Sequence, residues 1–98
     1  MAEETDDDFF GRADAHIDLS NDQAKIIGRG KVSASMMYAT ARFNAWMCAV
    51  SCKTGGEMNE AREENINYFV AQYRTMLEEN YTEYENSFDD YLESKGNA

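Results

Sequence analysis

Residues 28–46 read GRGKVSASMMYATARFNAW, and how this stretch is taken decides the fold. It holds no acid in a chain whose formal charge is −10, sets Arg29 and Lys31 among glycines, then runs through small residues, sulfurs and aromatics. It is either a site for something negative or the middle of a helical bundle. At 100° per residue, Val32, Met36, Ala39, Phe43, Trp46, Met47 and Val50 fall on one bulky apolar face. Ala34, Met37, Ala41, Ala45, Cys48 and Cys52 fall on a smaller-residue face nearly opposite. A helix with two apolar faces is packed on two sides. The second face therefore meets either the third helix or a symmetry-related copy. This helix is expected from about Lys31 to Cys52.

Upstream, Phe9, Ala13, Ile17, Ala24 and Ile27 form the stripe of a first helix, with His16 and Ser20 on or beside it and Asp14, Asp18 and Asp22 on the solvated side. Thr5 is placed to cap it, with Asp6, Asp7 and Asp8 in the first turn, where the helix dipole favours anions. Lys25 in the last turn and Gly28 just beyond mark its end. Downstream, Lys-Thr-Gly-Gly at 53–56 breaks the pattern, and Thr54 with Glu57 has capping-box spacing. Met58, Ile66, Phe69, Val70, Tyr73, Met76 and Leu77 then hold a third stripe, continued by Tyr84, Phe88 and Tyr91. One helix over 57–94 would be about 57 Å long, far longer than its partners of about 33 Å. A break is expected at Asn80 to Thr82, each with a glutamate three residues on. Arg62, Asn65 and Asn80 lie within this stripe, so an internal polar network with His16 and Ser20 is expected to satisfy them.

The fold class that follows is all-α: a small antiparallel helical bundle of three long stretches with a bent or broken C-terminal fourth helix. The absence of proline and 43% hydrophobic content agree. The 98 residues suit one domain, residues 1–98, with 1–5 and 95–98 frayed. No secretory signal and no membrane span is read, and the two cysteines make no disulfide framework, so a cytoplasmic protein is expected.

Charge is segregated: residues 1–22 sum to −7, 23–56 to +5 and 57–98 to −8. Acidic flanks argue against direct nucleic-acid binding, which requires basic surface, and leave an acidic nucleic-acid mimic as an alternative. Gly28-Arg29-Gly30-Lys31 invites a phosphate loop, but Lys25 and Val32 stand where a P-loop needs glycine and a hydroxyl. It reads as a glycine-flanked turn. His16, the only histidine, is the obvious general base, yet a lone histidine beside an apolar stripe reads as a core residue, and no catalytic residue is assigned. Cys48 and Cys52 share a face, which suits two zinc ligands but equally two small hydrophobes, and no metal or cofactor is assigned.

The runs ADAHIDLSNDQ (13–23), GRGKVSASMMYATARFNAW (28–46) and YFVAQYRTMLEENYTEY (68–84) resemble a family of short proteobacterial proteins, number 3144 in the domain-of-unknown-function series. The likeness spans about residues 8–92. It implies a bacterial, cytoplasmic protein and assigns no activity, ligand or catalytic residue.

Two functions are open at this level. One is a non-enzymatic protein-interaction module acting as a homodimer, or binding another protein, with Ala41, Ala45, Tyr81, Tyr84 and Tyr91 at the interface. The other is a small-anion or metabolite pocket between helices formed by His16, Arg29, Lys31, Tyr38, Arg42 and Asn44. An Arg42 paired with Asp14 or Glu64 would favour the first; an unpaired Arg42 in a cavity would favour the second.

Overall fold

A computed structural model describes residues 6–93 and, for side chains, residues 6–91. The described chain is helical throughout, with no strand: α1 (Phe9–Ile27), α2 (Arg29–Val50), α3 (Gly55–Glu60), α4 (Arg62–Asn86) and α5 (Phe88–Glu93). It divides into two units, one up to Ala39 and one from Thr40 onward, so that α2 contributes to both.

In the first unit, α1 starts at Phe9 behind Asp8, whose side chain makes no capping bond. Thr5, the expected cap, lies outside the described residues, as do the ends expected to fray. Asp6, Asp7 and Asp8 precede the helix instead of occupying its first turn. Asp6 is drawn elsewhere: its carbonyl accepts from the Phe9 N–H at 3.1 Å and its carboxylate takes two bonds from the Arg12 guanidinium, at 2.7 and 3.3 Å. Lys25 lies in the last turn, as the sequence indicates.

Gly28 alone makes the joint between α1 and α2. Its N–H closes α1 on the Ala24 carbonyl at 2.9 Å, and its own carbonyl accepts the first bond of α2 from Val32 at 3.3 Å. The residue sits at φ 95° and ψ 148°, a region that L side chains rarely adopt. One residue thus serves as the last cap of one helix and the first of the next. The expected four-residue turn shrinks accordingly: Arg29, Gly30 and Lys31 form the first turn of α2. Val32, at 4% exposure, is the one buried residue among those described.

In the second unit, α2 stops where the Ser51 hydroxyl bonds back to the Met47 and Cys48 carbonyls, at 3.1 and 2.9 Å. Thr54 then caps α3 as its spacing indicates: Thr54 Oγ1 accepts from the Glu57 N–H at 3.0 Å. Glu57 Oε1 returns to the Lys53 N–H at 3.0 Å, one residue before the usual position. The long third stretch does bend, but not at 80–82. It breaks at Ala61 (φ −87°, ψ −2°) and at Ser87 (φ −113°, ψ 29°), while Asn80 and Thr82 lie inside α4. Asn80 spends its amide on the Met76 carbonyl of its own helix, at 2.7 Å, so it caps nothing. Beyond Ser87, α5 is held to α4 by the Tyr84–Tyr91 ring pair, 4.2 Å between centroids, and by Tyr91 Oη donating to Glu83 Oε1 at 3.1 Å.

The expected internal polar network is absent among the described residues. None of their polar or charged side chains is buried; His16, Arg62 and Asn80 are exposed, and Ser20 and Asn65 half-buried. Ser20, like Asn80, bonds back to its own helix, at the His16 carbonyl. The physical reason is the lack of a covering layer, since a polar group still in water needs no protein partner.

A groove between α2 and α4

The second unit contains a groove of about 430 Å³. One wall is the small-residue face of α2, with Ala41, Ala45 and Cys48 one and two turns apart and Asn44 at the edge. The opposite wall is α4, with Ile66, Phe69 and Val70; α3 closes one end with Met58. Polar groups stand along it: Asn44, Asn59, Asn65 and one charged group, Arg62. The hairpin geometry comes from local chemistry, since the capped turn at Thr54 and the kink at Ala61 carry the chain from α2 through α3 into α4.

The volume lies in the range of small-ligand pockets, about 300–1,000 Å³. The lining is predominantly apolar, with Arg62 able to orient one negative group. Among the described residues Arg62 forms no ion pair; the two pairs formed are Asp6–Arg12 and Arg74–Glu78, the latter at 3.2 Å. Cys48 and Cys52 are free thiols, both half-buried. No three His, Cys, Asp or Glu side chains gather at metal-binding distances among the described residues. No described helix is long and apolar enough to cross a membrane.

Of the six residues proposed for a ligand, Asn44 lines this groove. Lys31 lines a separate hollow of about 320 Å³ in the first unit, with Gln23, Ile26, Ile27, Val32 and Ser35. His16, Arg29 and Tyr38 are exposed in the first unit and Arg42 in the second; none of the four lines either hollow. Arg42 forms no ion pair among the described residues. Of the interface candidates, Ala41 and Ala45 form a groove wall, Tyr84 and Tyr91 meet ring to ring at a tilt of 50°, and Tyr81 is 68% exposed. The α4 side of the groove was not singled out by the sequence as a site. Its signal was there: Arg62 and Asn65 are polar residues inside an apolar stripe.

The electrostatics elsewhere are local. The Arg12 guanidinium, hydrogen-bonded to Asp6, holds the Asp6 carboxyl below its usual value. The Tyr91 phenol, donating to the Glu83 carboxylate, is raised above its usual value, because losing that proton would set two negative groups together.

With this geometry established, comparison with known proteins gives a family and a solved structure. A family described as "Protein of unknown function (DUF3144)" matches residues 9–85. The NMR structure of the protein NB7890A from Shewanella sp is 34% identical, with 94% of this chain and 98% of that chain covered and a TM-score of 0.77. No curated protein matches.

Proposed function

This chain belongs to the DUF3144 family of proteins of unknown function, and we propose that it is a non-enzymatic protein-interaction module acting as a homodimer. What supports the reading is burial. Twenty large apolar side chains among the described residues stand at least 38% exposed, against one that is buried. They are not scattered: Val70, Tyr73, Leu77 and Tyr84 run along one stripe of α4, and Phe43, Trp46, Met47 and Val50 share the bulky face of α2, with the Phe43 and Trp46 rings 5.7 Å apart. Contiguous apolar faces of this kind mark sites of association, whereas single exposed hydrophobes do not.

The test is mass and melting of the full, untagged chain. Native mass spectrometry should give twice the chain mass, and the melting midpoint should rise about 3–4 °C for each tenfold increase in protein concentration, as expected when 196 residues unfold with dissociation. A single-chain mass with a concentration-independent midpoint refutes the proposal.

A further inference from the structure

The apolar stripe of α4 outruns the groove. Ile66, Phe69 and Val70 line it, but the stripe continues through Tyr73, Met76, Leu77 and Tyr84, all exposed. From Val70 to Tyr84 that is about 21 Å of helix. Among the described residues, α3 and α5 pack on the two ends of α4. One half of the stripe thus lines the groove and the other half is exposed.

We infer that these two halves complete each other between two copies: the Tyr73–Tyr84 half of α4 from a second copy, running antiparallel, occupies the groove of the first, and the first returns the contact. The inference rests on the homodimer proposed above and names its surface. The register follows from the spacing of the stripe. Ile66, Val70, Tyr73 and Leu77 are separated by four, three and four residues, a pattern symmetric about the Ala71–Gln72 peptide. A two-fold axis there sets Ile66 across from Leu77 of the second copy and Val70 across from its Tyr73. Such a contact is isologous, so one operation fills both grooves, covers both stripes and leaves no open end to propagate a fibre.

Charge and size favour this occupant. Arg62, the groove's charged residue, falls across from Tyr81 of the second copy, within one turn of its Glu78 and Glu85. An aromatic face and carboxylates are what an unpaired guanidinium attracts. Ala41 and Ala45 present no bulk, which lets a second helix axis come within the usual packing distance of about 8–10 Å from α2. A small molecule in the groove would leave the lower stripe of α4 open. The same register gives Tyr81 and Tyr84 interface roles.

The experiment is isotope-filtered NOE spectroscopy on the full chain, mixing ¹³C-labelled and unlabelled protein, with native mass spectrometry of the same sample. The expected result is a dimer with intermolecular NOEs from the Ile66 and Val70 methyls to Leu77 methyls and the Tyr73 ring, and from the Ala41 and Ala45 methyls to the second copy's α4. A dimer whose intermolecular NOEs fall on Trp46 and Val50, leaving those methyls with intrachain partners alone, overturns this surface and spares the homodimer. A monomer overturns both. Independently, Leu77→Glu should raise the dimer dissociation constant about 100-fold or more by placing a charge in the groove; an unchanged constant overturns the placement.

Discussion

Replacing Gly28 and Gly30, two residues apart, by alanine should move stability in opposite directions. Neither Cβ meets another atom within 4 Å, so no clash enters either case and the backbone decides both. Gly28 sits at φ 95°, ψ 148°, close to a region essentially reserved for glycine, where other residues cost about 1–3 kcal/mol. Restricting the unfolded chain returns about 0.4–1 kcal/mol of that. A net loss of about 1–2 kcal/mol remains. Gly30 lies in the first turn of α2 with no positive φ, and Gly→Ala in a helix gains about 0.5–1 kcal/mol. The two variants should therefore differ by about 2 kcal/mol, or very roughly 10 °C in melting midpoint. Circular dichroism melts of both, at one fixed protein concentration because association shifts the midpoint, make the comparison. Equal midpoints would refute the assignment of the joint to Gly28 alone. A Gly28→Ala variant that melts higher and gains helical signal would refute it more directly, because the joint would then be a helix that glycine merely weakens.

Three further outcomes follow from particular bonds. Thr54→Ala removes the acceptor of the Glu57 N–H and should cost about 1 kcal/mol in denaturant unfolding, with Thr54→Asp close to the native value; an alanine variant as stable as wild type would show that the cap holds nothing. Asn80→Ala should leave stability unchanged or raise it by about 0.5 kcal/mol, since the residue lies inside α4 and alanine is the better helix former, whereas a loss near 1 kcal/mol would restore the helix break expected there. In an ultraviolet titration, Tyr91 should ionise above the usual tyrosine value, and Tyr91→Phe should remove that late phase. Because the folded-state value is raised, the stabilisation from the Tyr91–Glu83 bond is fully present below the unfolded value of 10 and is lost as pH rises through the folded one. A titration curve that Tyr91→Phe leaves with the same late phase would contradict the bond.

The residues that were legible in the sequence act over one or two turns of chain. Gly28 ends α1 because only its lack of a Cβ permits the backbone found there. Thr54 and Glu57 start α3 because their side chains reach amides three and four residues away, and the stripes on α2 and α4 follow from a helical period that any sequence displays. For the same reason all-α class and family membership needed no tertiary contact. What failed was the choice between equal local signals. Asn80 and Thr82 carry the marks of caps, yet α4 runs through both and bends at Ala61 and Ser87, where no strong cap advertises it. Polar residues inside a stripe looked like a buried network, but Arg62 and Asn80 remain in water because no layer of the described chain closes over them. Only the tertiary structure showed that the small face of α2 and the start of α4 stand apart as a groove, with Arg62 beside it. Distances between residues 41 and 70 are set by the path of the turn joining their helices, and no periodicity within either helix encodes that path.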